Sequence, residues 1–513
     1  MRNDDIKKVS LSSIAISHDI LKLVPADIML KYAFIPFDIQ NGRMSIAVEN
    51  SNDLTNIDNI RVVTGYDLDV FQDSKESIKN TFTRLRTSPD ENIQTAELQF
   101  ANIEAVSAAP GETPDTEQPS IVKLVDKMIN LAIEKRASDI HLEPQQDGLF
   151  VRFRIDGILS TIHKFPKAVQ SPLISRIKIL ASMDITERRL PQDGQISIEA
   201  KHRNIDLRIS TLPGKYGEKT VIRVLDKSGF SLDLGQLGLE PTMQSYFETI
   251  IQKPQGLLLV TGPTGSGKTT TLYSVLNKLK SPLKNVITLE DPIEYELLAG
   301  KSNESGITQV QINSKIGMTF AMALRAAMRQ DPDIIMIGEI RDKETAETAM
   351  KASLTGHLVL STLHTNDSFS TLLRLKDMGI ELYLISSTVI GILAQRLVRV
   401  LCPHCKEPYK PPSRALKMLL RTEIDPAAEK DLVLYRAKGC DKCQQMGYFG
   451  RKGIYELLII NDDLKTLINS GINSEILKQT PAINKMKSLR DAGLELVLKG
   501  VTTIEEVFRV TVE

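Results

Sequence analysis

At 513 residues the chain is too long for one ordinary domain, so three or four are expected. Lys plus Arg and Asp plus Glu both total 64, which leaves no net formal charge. A chain whose main ligand is a phosphate backbone is usually basic in at least one domain, so nucleic acid is not expected as a partner.

The opening MRNDDIKK carries both signs and no long apolar run follows it, which argues against a signal peptide. Residues 1–86 read as a small amino-terminal α+β domain for partner binding. HDILKLVPADIMLKY has helical periodicity, and FIPFDIQNGRMSIAV reads as two short strands joined at Asn41-Gly42. Residues 87–119 hold seven acids and no Lys or Arg, and include AAPGETPDTEQPS. Such a segment can bury little and is expected to be a flexible acidic linker. Residues 120–230 form a second α+β domain. It opens on an amphipathic helix with apolar residues at 121, 124, 125, 128, 129 and 132, followed by GLFVRFRIDGIL, RNIDLRIS and KTVIRVLD, which alternate as strands.

From 231 to 400 strands and helices alternate in the order of a mainly parallel, helix-covered sheet. The most apolar stretch here, LISSTVIGILA (384–394), is too short and too rich in Ser and Thr to span a bilayer. A cytoplasmic chain with no membrane span of its own is expected. Residues 401–455 carry all four cysteines as Cys402-x2-Cys405 and Cys440-x2-Cys443, 34 residues apart. Two such knuckles in a cytosolic chain fit a closed, tetrahedral zinc site better than disulfides or a redox pair, and zinc would stabilise a module with little core. Residues 456–513 read as short amphipathic helices.

The segment TGPTGSGKTT (261–270) follows the apolar run GLLLV and opens a helix. Gly262, Gly265 and Gly267 let backbone N–H groups curl around phosphate oxygens, and Pro263, Thr264, Ser266 and Thr270 complete the nucleotide-binding segment. Lys268 is expected to reach the β- and γ-phosphates of a bound nucleotide, and the Thr269 hydroxyl to hold Mg²⁺. ITLEDPIEYE (287–296) ends the next strand with Glu290, Asp291 and Glu294, carboxylates suited to orienting an attacking water. DPDIIMIGEIRD (331–342) ends a strand in Gly338-Glu339, an acid placed to help hold Mg²⁺. His357 and His364 flank the strand in TGHLVLSTLHTND (355–367), either as satisfied polar residues or as groups that touch phosphate or couple subunits.

In this order the motifs resemble the Walker A, Asp box, atypical Walker B and His box of the secretion ATPase superfamily. With ASDIHLEP, RLPQDGQI, LAQRLVRVLCPHC and GYFGRKGIYELL, the resemblance covers about residues 120 to 460. It is similar to the type II secretion assembly branch, with the type IV pilus assembly branch as the alternative. The resemblance implies an α/β, RecA-like P-loop core and a homohexamer that hydrolyses ATP with Mg²⁺. It also implies docking on inner-membrane platform and cytoplasmic-domain membrane proteins, to drive assembly of a pilus-like filament.

On the same resemblance Glu294 matches the catalytic glutamate, Glu339 the Walker B acid, and His357 and His364 the His-box pair. Arg208 and Arg223 from the second domain, with Arg325, Arg329 and Arg341 around the core, match arginines that close the site. Arginine neutralises charge developing on a γ-phosphate, worth about 10³ to 10⁵ in rate for arginine fingers. The domains are expected to open and close about a break near 230. The four-cysteine module argues against the pilus retraction ATPases, which lack it.

AGKSNESG (299–306) lengthens one loop relative to the family. The amino-terminal domain looks abbreviated, with no match to the cyclic-dinucleotide module of longer relatives, so no such regulation is expected. A DNA-translocating hexamer and a nucleotide-gated scaffold that does not hydrolyse ATP are the other rivals. DNA-stimulated turnover would favour the first, and an inert hexamer the second.

Overall fold

The computed structural model describes residues 32–40, 42–51, 53–64, 66–78, 119–200, 203–226, 233–297, 306–411, 433–471 and 486–511, with isolated positions before 32 and at 81. Most of HDILKLVPADIMLKY, the linker up to 118, the break near 230 and most of the 299–306 insertion lie outside these residues. The chain divides into two compact units. One comprises Met1–Ser88, Asp233–Pro292 and Leu298–Glu513; the other comprises Pro89–Leu232 and Ile293–Leu297.

The first unit begins with the two expected strands, β1 (Phe34–Gln40) and β2 (Arg43–Val48), antiparallel about a turn where Gly42 has φ 77°. Helix α1 (Leu54–Thr64) then leads to β3 (Asp67–Gln72), parallel to β2.

The second unit carries α2 (Pro119–Glu134), the strands β4 (Ala137–Gln145), β5 (Gly148–Ile155) and β6 (Ile158–Phe165), then α3 (Lys167–Leu180). Strands β7 (Gln192–Ala200), β8 (Arg203–Gly214) and β9 (Gly217–Asp226) complete an antiparallel sheet ordered β6-β5-β4-β9-β8-β7. Its strands alternate because one face packs on α2 and α3 while the other stays polar. In β5, for example, Leu149, Val151, Phe153 and Ile155 are buried, and Arg152 and Arg154 lie on the opposite face. The apolar positions expected of α2 are buried, and Leu131 joins them.

Back in the first unit, α4 (Pro241–Ile251) precedes β10 (Gly256–Thr261), and α5 (Lys268–Leu279) follows it. The alternation continues through β11 (Val286–Glu290), β12 (Ile307–Gln311), α6 (Phe320–Ala327), β13 (Ile334–Ile337), α7 (Lys343–Leu354) and β14 (Leu358–Leu363). Helices α8 (Ser368–Asp377) and α9 (Leu382–Thr388) lead into β15 (Val389–Leu401). A short hairpin of β16 (Glu407–Tyr409) and β17 (Leu434–Arg436) precedes β18 (Tyr448–Ile459). Helices α10 (Asp462–Ser470), α11 (Leu489–Leu498) and α12 (Ile504–Val510) end the described chain.

The core sheet is ordered β12-β11-β13-β14-β10-β15-β18, parallel except for β18. Every residue of β10, β13 and β14 is buried, as expected for central parallel strands covered on both faces. One boundary differs from the sequence expectation. β18 pairs with β15 over most of its length, so residues 448–455, placed above in the cysteine module, and 456–459, placed above among the helices, supply the seventh strand of the core. The cysteines thus sit on an excursion between two neighbouring strands. Residues Phe34, Met44, Ile46 and Ile60 of the amino-terminal strands and helix share one apolar cluster with Ala394, Val398, Leu496 and Phe508. Among the described residues no helix is long and apolar enough to cross a membrane.

Candidate nucleotide site

Strand β10 delivers the glycine loop to the carboxyl end of the sheet, where ligands bind in open parallel folds. The loop needs its glycines: Gly262, Gly265 and Gly267 have φ 151°, 78° and 91°. A Cβ on Gly262 would sit 2.5 Å from the Gln395 carbonyl oxygen, and one on Gly267 2.7 Å from Gln395 Nε2. Gly267 is the N-cap of α5 and offers no side-chain cap, unlike Asp342 and Asp367 at α7 and α8, which accept N–H bonds from their own first turns. The first-turn N–H groups of α5 therefore lack a side-chain acceptor and face the loop with the positive end of the helix dipole. Ser266 Oγ is buried without a hydrogen-bond partner. Uncapped donors, an orphaned hydroxyl and a cradle that a Cβ would fill all fit a bound phosphate group. Pro263, Thr264 and Gly265 form the exposed lip, and Thr269 and Thr270 are half-buried at the helix start.

Lys268 lies across this cradle. Its Nζ donates to the carbonyls of Gly262 at 2.8 Å and Pro263 at 3.0 Å. Burial pushes its pKa down to about 8; Glu339 opposes the shift and Arg396 adds to it. Bound phosphate favours the charged form, so nucleotide binding above that pKa takes up a proton. The affinity for ADP is therefore expected to be highest below about pH 8 and to fall above it by up to about tenfold per pH unit. Calorimetry in buffers of different ionisation enthalpy checks both affinity and proton uptake; an affinity that stays flat through this range contradicts the assignment.

Glu339 follows β13 at the same end of the sheet. Its carboxylate accepts from Arg341 and lies 3.4 Å from His364 Nε2. Burial pushes its pKa up, but the bond and charge of Arg341, with His364, outweigh burial and hold it below the ordinary value. The His364 pKa is lowered, by burial first and then by Lys268. Lys268, Glu339, Arg341 and His364 thus form one electrostatically linked set.

Other expected residues are placed elsewhere. Glu290 is only 3% exposed and accepts from Tyr273, Thr288 and Gln309, so it serves the core and not a water. His357 precedes β14 while His364 follows it, and a six-residue strand separates them by about 20 Å. His357 Nδ1 contacts the Ala352 carbonyl at 2.8 Å, past the end of α7, so this chain does not bring the two histidines to one phosphate. Arg325 and Arg329 are exposed on or just beyond α6; Arg325 pairs with Glu344 at 2.7 Å, and Arg329 donates to the Arg325 carbonyl.

In the second unit, Arg208 and Arg223 stand directly opposite each other on β8 and β9. Like charges in that position are unfavourable unless compensated. Glu294 Oε2 lies 3.0 Å from Arg208 Nη1, and Asp139 Oδ1 lies 3.3 Å from Arg223 Nε. The candidate base therefore belongs with the arginine-bearing unit and is already paired with Arg208.

Gln395 and Arg396, two buried polar residues inside VIGILAQRLVRVL, belong to none of the motifs described above for the nucleotide site. Consecutive Gln and Arg in a strand whose one other polar residue is Arg399 are the available signal, because buried polar side chains need partners.

The four cysteines are free of disulfides, and their sulfurs all lie within 4.8 Å of one another. Cys402 to Cys440 is 3.9 Å, while Cys405 to Cys443 and Cys440 to Cys443 are each 3.7 Å. Backbone N–H groups of Cys440 and Gly447 point at Cys443 Sγ, both at 3.2 Å. This cluster can hold one metal ion.

The family model described as type II/IV secretion system protein matches residues 115–509. A second, the MshEN domain, matches residues 5–92, which corrects the expectation of an abbreviated amino-terminal domain without a matching module. The chain is 49% identical to a type II secretion system protein E of Pseudomonas aeruginosa, over 80% of this chain and 80% of that relative. It is 41% identical to the type IV pilus assembly ATPase PilB of Myxococcus xanthus, over 98% of this chain and 88% of that relative. Among solved structures, the pilus retraction motor PilT with bound ADP aligns with a TM-score of 0.52 and 27% identity, covering 75% of this chain and 96% of that one.

Proposed function

The chain belongs to the type II/IV secretion system protein family, and from that premise we propose that it is the ATPase motor that drives assembly of a pilus-like filament for type II protein secretion. The chain is a P-loop ATPase with a RecA-like core. The observation that carries the reading is the phosphate cradle of Gly262–Gly267 with Lys268 set against Glu339. Full coverage by the PilB relative favours a second reading, extension of a type IV pilus.

On this proposal Thr269 and Glu339 would hold Mg²⁺, which would supply positive charge to offset the charge developing on the phosphates. The chain's own groups do the rest. Uncapped α5 donors and Lys268 bind and orient the phosphates, and Glu294 positions the attacking water. Arg341, beside Glu339, and on the family resemblance Arg208 and Arg223, would stabilise the charge that leaves with the γ-phosphate, while Arg325 and Arg329 stay with their own partners.

The working form is a homohexamer docked on the inner membrane through platform and cytoplasmic-domain membrane proteins. The metal at the four cysteines is zinc. Tetrahedral zinc with sulfurs at about 2.3 Å would set sulfur–sulfur distances of about 3.8 Å, close to the 3.7–3.9 Å of three of the cysteine pairs. The functional test is genetic: deleting the chain is expected to strand exported proteins inside the cell.

A further inference from the structure

Gln395 is 2% exposed and sits on β15, one residue past the point where Ala394 is in register with Thr261. That places it beside the start of the phosphate loop. Its Nε2 donates to the Ser266 carbonyl at 2.7 Å, and its Oε1 accepts from Thr271 Oγ1 at 2.7 Å. One side chain therefore ties the last turn of the loop to the first turn of α5. The roles of its two ends are set by the partners, since Ser266 presents a carbonyl that only a donor can meet.

The Ser266 bond has a consequence for the adjacent donor. A trans peptide unit is planar, and its C=O and N–H point in opposite directions. Holding the Ser266 oxygen against Gln395 therefore turns the Gly267 N–H away from β15, toward the cradle. Gly267 lies at φ 91°, and a Cβ there would stand 2.7 Å from Gln395 Nε2, so the brace leaves room for glycine alone at this position. The brace is itself anchored. Arg396 Nη1 donates to the Gln395 carbonyl, and Arg396 Nη2 donates to the Asn366 carbonyl at 2.6 Å, two residues beyond His364.

We propose that Gln395 is a positioning residue for nucleotide phosphate: it sets the direction of the Gly267 N–H through the Ser266–Gly267 peptide. The proposal rests on the ATPase reading above. An amide is suited to the position because it donates at one end and accepts at the other; a carboxylate lacks the donor and a hydrocarbon lacks both.

The test uses the full-length chain with Gln395→Met, which preserves volume and removes both bonds, and Thr271→Val, which leaves the Ser266 bond in place. Loss of a donor used in both ground and transition states raises KM and the ADP Kd together. Gln395→Met is therefore expected to raise both on the order of tenfold with kcat changed less than about threefold, while Thr271→Val stays within about threefold on all three. A variant that only misfolds in part lowers apparent kcat and leaves KM and Kd unmoved. That pattern for Gln395→Met, or equal increases in KM and Kd for the two variants, overturns the proposal. A wild-type chain that binds no ADP overturns the nucleotide reading itself, a result distinct from any difference among variants.

Discussion

Glu294→Gln is expected to bind ADP and ATP within about threefold of the wild-type chain while turning ATP over about 10²- to 10⁴-fold more slowly, the range supplied by a positioned acid–base group. Glutamine keeps the shape and still offers an oxygen to Arg208, now 3.0 Å from the Glu294 carboxylate. It loses the negative charge that polarises a water. None of the binding groups changes, since Lys268, the glycine loop and the α5 donors belong to the other unit. Nucleotide titration with steady-state ATP hydrolysis separates the two effects. Hydrolysis by Glu294→Gln at the wild-type rate shows that the base is another group, with Asp291, exposed at the carboxyl end of β11, as the next candidate.

The second large effect is expected at the cysteines. Purified wild-type chain is expected to carry one zinc per chain, and Cys443→Ser to lose it. Structural zinc contributes on the order of 10 kcal/mol to folding small modules, more than the β16–β17 hairpin can recover by itself. Cys443 is the most heavily committed of the four, buried and accepting the N–H groups of Cys440 and Gly447. Loss of the ion is expected to expose the 402–447 excursion to protease, while β15 and β18, which pair with each other directly, continue to hold the core sheet. Metal analysis and limited proteolysis check this. A wild-type chain without zinc, or one with disulfides among these cysteines, contradicts it.

What the sequence made legible follows physical range. The glycine loop and the buried strands GLLLV, IIMI and LVLST were readable because their signals are local: turn glycines and uninterrupted apolar runs of strand length. Glu290, Asp291 and Glu294 looked equivalent because one acid-rich segment carries all three. Only the partners of Glu290 (Tyr273, Thr288 and Gln309) show that it faces inward. His357 and His364 belong to one motif, yet the six-residue strand between them puts them at opposite ends of the sheet. The place of β18 could not be read locally, since its partner β15 lies across the whole cysteine excursion. Gln395 was missed because its role depends on a peptide 129 residues away.

ATP turnover by this chain is expected to power protein export. The most direct measurement is the distribution of secreted proteins between medium and cell in a strain that lacks it, complemented with the wild-type chain or with Glu294→Gln. Loss of secreted proteins from the medium, restored by the wild-type chain and not by Glu294→Gln, is the predicted result. Export that continues unchanged in the deletion strain contradicts the claim, and if surface pili vanish at the same time, the motor belongs to pilus assembly.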